Sequence, residues 1–296
     1  MNLKRNEFDV LVALLEKPGM SQRELSDVTG YSLGTINSVL KQLNDNELVI
    51  DNNVTDKGKE ALEPYRVKKA IFIAAGFGSR MVPVTLNTPK PLVRVNGTRI
   101  IDTLLDAVYE AGIKEVIIVR GYLSEQFDQL LYKYPNIKFI ENPAFNDANN
   151  ISSTMCVRYD LENAYILEAD LLLSNKRLIR KYNYTSNFLG IKMDRSDDWC
   201  FEVKDGIIKN QKVGGENVYQ EVGISYWNAE DGRKLAEDIK STYDMPGGHE
   251  RYWDQVPFVF FPQNYNVEIR KCKQDDIVEI DTFKELQAID KTYAIK

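Results

Sequence analysis

Six consecutive apolar residues, Ala70-Ile71-Phe72-Ile73-Ala74-Ala75, run without a polar break into the turn Gly76-Phe77-Gly78-Ser79-Arg80. A stretch that short and that apolar reads as a strand covered on both faces, the kind found in parallel sheets. The alternation continues downstream. Residues 100–111 read as a helix, Val116–Val119 as a second buried strand, residues 123–133 as helical, Ile137–Ile140 as strand-like and Tyr165–Ala169 as another strand. Strands and helices in short succession predict an α/β domain, Rossmann-like, with a mostly parallel sheet and helices on both faces. Ligands in such sheets bind beyond the carboxyl ends of the strands, which is where the Gly76 turn falls.

Ahead of this pattern, residues 1–66 read as a unit of their own, leaving 67–296 as the larger domain. Phe8, Val10, Leu11, Leu14 and Leu15 recur at helical spacing until Pro18-Gly19 stops the run. Ser21 with Glu24 three residues later is a capping box that opens a second helix. After the turn Thr29-Gly30-Tyr31-Ser32, a third helix puts Leu33, Ile36, Val39, Leu40 and Leu43 on one face. Leu48-Val49-Ile50 and the polar Asp51-Asn52-Asn53 suggest a short strand and hairpin tip, and Val54–Gly58 leads into a last short helix. This order resembles a winged helix-turn-helix domain.

Charge bears on what that unit binds. It holds eight Lys and Arg against eleven Asp and Glu, and its groove-entering helix offers Asn37, Lys41 and Gln42 but no arginine. Affinity for DNA rests largely on neutralising phosphates, so DNA binding has only weak support. A regulatory or dimerisation module is the favoured expectation; in the second case the chain would form a homodimer through this unit. The whole chain carries a net charge of −6, with no general pull toward nucleic acid or anionic membrane. Cys156, Cys200 and Cys272 form no C-x-x-C pair, and His249 is the only histidine. A disulfide framework, a His-rich metal site and a Ser-His-Asp triad are therefore all disfavoured. No run approaches the roughly 18 apolar residues of a membrane span, and the polar start of the chain is unlike a signal peptide. A cytoplasmic protein is expected.

The loop after the first strand carries the chemistry. Gly76 and Gly78 allow a tight turn that aims backbone N–H groups at an anion, and Arg80 adds a fork of charged donors suited to phosphate. Thr88-Pro89-Lys90-Pro91-Leu92 then fixes the path around one lysine. The third glycine of a dinucleotide fingerprint is missing, and no Walker loop is present. The whole pattern, G-x-G-x-R-x-x-P followed by P-K after a first buried strand, resembles the nucleotidyltransferases that activate sugar phosphates and alcohol phosphates. The resemblance covers residue 69 to about 290. It implies that Ala75, Gly76, Gly78, Ser79 and Arg80 grip nucleotide phosphates and that Lys90 neutralises charge near the α-phosphate. It also implies that Gly121, Asn149 and Asn150 lie near the base and ribose.

Asp170 ends the strand Tyr165–Ala169, where on its own it reads as a cap on a following helix. Glu279 and Asp281 share a face of the extended segment 278–282, and Asp281 on its own reads as an N-cap. The resemblance makes Asp170 and Asp281, with Glu279, the ligands of a catalytic Mg2+. An ionised phosphate monoester needs no general base to attack a nucleotide, which suits a chain with one histidine.

Closer similarity is to bacterial CTP:phosphocholine cytidylyltransferases, through Gly121–Asp128, Asn149-Asn150, Asp198-Trp199, Gly223–Trp227 and Tyr252-Trp253-Asp254. Choline is a permanent cation recognised by aromatic faces beside a carboxylate. Trp199 with Asp198, and Tyr252 and Trp253 with Asp254, supply two such sets; as plain core residues they would need no ligand. Lys192 matches a basic position near the acceptor phosphate in that family. The expected reaction transfers CMP from CTP to phosphocholine, giving CDP-choline and pyrophosphate. 2-Aminoethylphosphonate and phosphoethanolamine are alternative acceptors, using the same carboxylates and fewer aromatic faces. A nucleotide-sensing transcription regulator is the alternative of another class.

Overall fold

A computed structural model describes residues 2–294 and resolves two compact units. The first runs to Arg66 and takes in Tyr182–Tyr184; the second holds Val67–Lys181 and the chain from Thr185 onward.

In the first unit, α1 (Arg5–Glu16), α2 (Gln22–Thr29) and α3 (Leu33–Asp45) precede a two-stranded wing, β1 (Val49–Ile50) with β2 (Asn53–Val54), and α4 (Asp56–Leu62). The capping box forms: Glu24 N donates to Ser21 Oγ at 3.3 Å and Ser21 N to Glu24 Oε2 at 2.8 Å. Leu11, Leu14, Leu25, Ile36 and Leu43 are fully buried. Residues far away in sequence complete this core. Tyr184 stacks on Tyr65 at 5.4 Å, both rings pack against Phe8, and Tyr184 Oη donates to Leu3 O.

The second unit is built on a seven-stranded sheet. Its elements are β3 (Lys69–Ala74), the small hairpin β4 (Arg94–Val95) and β5 (Thr98–Arg99), α5 (Ile100–Glu110), β6 (Glu115–Arg120) and β7 (Ile137–Glu141). Then come α6 (Ile151–Cys156), β8 (Ala164–Glu168), β9 (Leu171–Leu173), β10 (Asn187–Lys204) and β11 (Ile207–Trp227). The chain ends with α7 (Ala229–Tyr243), β12 (Glu268–Cys272), β13 (Ile277–Glu279) and α8 (Phe283–Ile289). Strands β7, β6, β3 and β8 are mutually parallel; β11 runs antiparallel to β8, and β10 antiparallel to β11. The expected strands all form, and the helix at 100–111 is α5. Residues 124–132 instead form 3-10 turns, entered through Leu123 at φ +46°.

Ile71 and Ile117 point to one hydrophobic cluster and Phe72 and Ile118 to the other, the period of two that a sheet covered on both faces requires. From edge strand β7 the chain crosses β6 and β3 to reach β8, so the order reverses beside β3. That switch point opens a crevice at the carboxyl ends of β3 and β8. No helix among the described residues is long and apolar enough to cross a membrane.

Candidate active site

The crevice is a cavity of about 600 Å³. One wall is the loop after β3, and its shape is held by hydrogen bonds of its own. Tyr122 N donates to Ala75 O, and Tyr122 Oη donates to both Thr85 O and Leu86 O. Thr85 Oγ1 closes the turn by donating to Gly78 O at 3.0 Å. Gly78 has φ +67°, and a Cβ there would come within 3.1 Å of Lys90 Cβ, so a side chain at this turn would be strained and crowd the lysine. Ala75, Gly76, Gly78, Arg80 and Lys90 line the cavity.

The wall beside it is acidic. Asp170 follows β8 and precedes β9, not a helix, and the N-cap of α8 is Thr282, not Asp281. Neither aspartate is a cap. Oxygens of Glu168, Asp170 and Glu279 lie within 4.8 Å of one another, and buried Asp170 Oδ1 has no hydrogen-bond partner among the described residues. Such a set of hard oxygen donors fits a divalent cation. Two side-chain cations pair with the aspartates: Lys90 Nζ sits 2.6 Å from Asp170 Oδ2 and 2.8 Å from Asp281 Oδ1, and Arg80 is 2.9 Å from Asp281 Oδ1.

Electrostatics follow from that geometry. Burial alone would lower the Lys90 ammonium, but Asp170 and Asp281 outweigh it and raise it above the usual lysine range. Burial would raise Asp281, but Lys90 and Arg80 hold it below the usual range. Glu279 lacks such a partner. Loss of surrounding water, then repulsion from Asp170 and Asp281, pushes its carboxyl up to about 8. Glu168 is raised well above the ordinary range by burial, then by Asp170 and Glu279.

Further from the phosphate loop lies a second acidic group. Glu221 and Asp254 are both raised, burial being the first cause. Gln211 Nε2 donates to Glu221 Oε2 at 2.6 Å and also to Asp254 Oδ2. Asp254 Oδ1 and Gln211 Oε1 are buried without partners among the described residues. Beside them Trp199 and Tyr252 meet edge to face at 5.6 Å, and Asp198, Trp199, Tyr252 and Asp254 all line the cavity.

Four expected residues stand elsewhere. Trp253 is 2% exposed, packed against Phe188 and Trp227, so it is core and no part of a cage. Lys192 is exposed on β10, where Nζ donates to Asn217 O and sits over the Tyr219 ring, off the cavity wall. Gly121 does not line the cavity; a Cβ there would strike Phe145, whose ring does. Ser79 begins a 3-10 turn and also stays off the wall. Asn149 and Asn150 do line it.

Glu168, Glu221, Asn142, Ser152 and Ser153 line the cavity without having been singled out in the sequence. One signal was there for Glu168: it is two residues before Asp170 in an extended strand, the spacing that pairs Glu279 with Asp281. Gly223 accommodates it, since a Cβ at 223 would lie 2.7 Å from the Glu168 side chain.

Known proteins match this arrangement. Residues 69–184 match the nucleotidyl transferase family, and residues 3–50 match a winged helix-turn-helix DNA-binding family. A 2-aminoethylphosphonate cytidylyltransferase from Lancefieldella rimae is 36% identical over 76% of this chain and 92% of its own length. A choline-phosphate cytidylyltransferase from Streptococcus pneumoniae is 31% identical over 75% of this chain and 97% of its own. The solved structure of the CTP:phosphocholine cytidylyltransferase from Streptococcus pneumoniae superposes with a TM-score of 0.71 at 30% identity, covering 77% of this chain and 99% of that one.

Proposed function

The chain belongs to the nucleotidyl transferase family and is a cytidylyltransferase, and from that premise we propose that it transfers CMP from CTP to a two-carbon primary amine bearing a phosphonate or phosphate, first among them 2-aminoethylphosphonate. The observation that carries this reading is the acidic group Glu221–Asp254, with Asp254 Oδ1 and Gln211 Oε1 left as buried acceptors without partners among the described residues. A primary ammonium brings N–H donors for those oxygens; a trimethylammonium brings none. With Trp253 in the core, the expected aromatic cage keeps only Trp199 and Tyr252 of its three rings. Fewer rings and more acceptors suit the primary amine. Phosphocholine is the second reading, favoured by the edge-to-face pair Trp199–Tyr252, whose faces a quaternary cation would use.

The chemistry follows from two charged walls. An oxygen of the acceptor's ionised phosphonate attacks the α-phosphorus of CTP in line, the bond to the β-phosphate oxygen breaks, and pyrophosphate leaves. No proton has to be removed from that nucleophile. Arg80 and the backbone of the Gly76–Gly78 turn bind phosphate oxygens, and Lys90 neutralises charge beside them. Asp170 and Glu279, with Glu168 and Asp281 in reach, would hold Mg2+. When bound, that ion supplies charge neutralisation on the transferring phosphate and the leaving pyrophosphate.

The test is pyrophosphate release with CTP, Mg2+ and a panel of acceptors. The expected order of kcat/KM puts 2-aminoethylphosphonate and phosphoethanolamine ahead of phosphocholine by about tenfold or more, the discrimination expected when buried acceptors lose their donors. Phosphocholine in front would replace this acceptor with the second reading, and no turnover with any amine would end both.

A further inference from the structure

We infer that Asn150 is a positioning residue that ties the acceptor segment to the nucleotide half of the cavity, so that CTP binding organises the acceptor pocket. This rests on the proposal that the acceptor's amine lies beside Trp199, Tyr252 and Asp254.

Two loops form the mouth of the site. One, from Asn142 to Asn150, leads from β7 into α6; the other, from Gly247 to Asp254, follows α7. They are separate in sequence by about a hundred residues, and each contributes to the cavity wall, Phe145, Asn149 and Asn150 from one, Tyr252 and Asp254 from the other. Three hydrogen bonds join them. Asn149 N donates to His249 O at 2.7 Å, Asn149 Nδ2 donates to Glu250 O at 3.3 Å, and Trp253 N donates to Asn150 Oδ1 at 3.0 Å.

The last bond matters most for the acceptor. Trp253 lies between the two residues that face the ligand, so its backbone sets where Tyr252 and Asp254 point. Its side chain is anchored in the core, His249 stacks on Tyr243 at 4.1 Å, and Asn149 and Asn150 tie the stretch between them to the first loop. Asn150 Oδ1 is thereby committed to protein backbone. This differs from the contact with base or ribose that resemblance alone suggests for it.

The first loop is tied in turn to the deep wall. Asn142 Nδ2 donates to Ser152 Oγ at 2.9 Å and Ser153 Oγ at 3.0 Å, and Ser152 Oγ donates to Asn149 O at 2.7 Å. Asn142, Ser152 and Ser153 all line the cavity. A nucleotide resting against that wall orders the loop that holds the acceptor segment. Coupling of this kind is reciprocal and typically changes affinity by about 5- to 150-fold.

Amide hydrogen exchange on the full chain tests the link without any acceptor. CTP with Mg2+ should slow exchange across residues 250–256 in the wild type and fail to do so in Asn150→Ala. Asn150→Asp, which keeps the accepting oxygen, should restore the protection. In steady-state assays Asn150→Ala should raise the acceptor KM by about tenfold, with a smaller change in kcat, and Asn150→Asp should recover much of it. Wild-type exchange at 250–256 that ignores CTP would overturn the inference. So would an Asn150→Ala variant whose defect lies wholly in the KM for CTP. Should Asn150→Ala not fold, the wild-type exchange experiment and Asn150→Asp decide the matter. If 2-aminoethylphosphonate fails as substrate while CTP still protects 250–256, the acceptor proposal falls and this link stands.

Discussion

The winged-helix unit and the transferase cavity treat the same chemical group in opposite ways. In the first unit Glu24 bonds Lys17 at 2.6 Å and the backbone of Ser21, and these contacts pull its carboxyl down to about 2. Lys57 and Lys59 lower Glu47 and Asp56 below the ordinary carboxylate range in the same way. In the cavity Glu279 is pushed up to about 8, and Glu168 and Glu221 are raised, all three by burial and then by acidic neighbours, while Asp254 is raised by burial. In one region these carboxylates each find a lysine nearby, and Glu24 also caps a helix. The other concentrates like charge with too few partners, an arrangement unfavourable to the ligand-free fold and favourable to any cation that enters. Carboxylates left short of partners mark where function resides.

The strongest way to break that contrast is Asp170→Asn. If Asp170 holds Mg2+ as proposed, kcat should fall by about a thousandfold or more, the scale of losing several kcal/mol of charge stabilisation, while the melting temperature stays within a few degrees. A fall of less than about tenfold would move the metal elsewhere. A middle-sized effect concerns pH. A carboxyl whose folded pKa is raised holds its proton in the native state while the unfolded chain has already lost it. Stability of the ligand-free protein should therefore decline as pH rises from the ordinary glutamate range of about 4.3 through the folded value of about 8 for Glu279. Thermal melting from pH 5 to 8 checks the sign. Glu221→Gln, which removes one raised carboxyl, should flatten that slope and raise the acceptor KM. A slope of opposite sign would mean the acidic wall is already compensated.

Much of this was legible in the chain before any coordinates. The buried strand leading into Gly76, the alternating elements and the capping box at Ser21 all rest on local pattern, and local pattern survives into the fold. Arg80 and Lys90 were legible from the loop pattern after the first strand, whereas Asp170, Glu279 and Asp281 were legible as a group only through the family resemblance, since on their own Asp170 and Asp281 read as caps. What stayed hidden depends on contacts distant in sequence. Trp253 and Tyr252 are adjacent, yet one is core and the other lines the cavity, a difference set by packing against Phe188 and Trp227. Glu221 becomes part of an acidic group only when Gln211 and Asp254 are brought to it. Tyr182 and Tyr184 complete the core of a unit that ends, along the chain, at Arg66. A three-residue segment is too short to carry a hydrophobic period, so no pattern could assign it.

The smallest effect sharpens the contrast from its other side. Ser21→Ala removes the oxygen that accepts from Glu24 N and loosens the reciprocal bond from Ser21 N to Glu24. Loss of such a cap costs about 1 kcal/mol, so amide exchange in α2 should speed up roughly fivefold, the factor that energy implies. Glu24 should keep Lys17 as a partner, since that ion pair does not pass through the serine. Turnover with CTP and the acceptor should not change, because the cap lies in the winged-helix unit and not among the residues that line the cavity. If kcat or either KM moves along with α2 exchange, the two regions are energetically linked, and the winged-helix unit takes part in the control of catalysis.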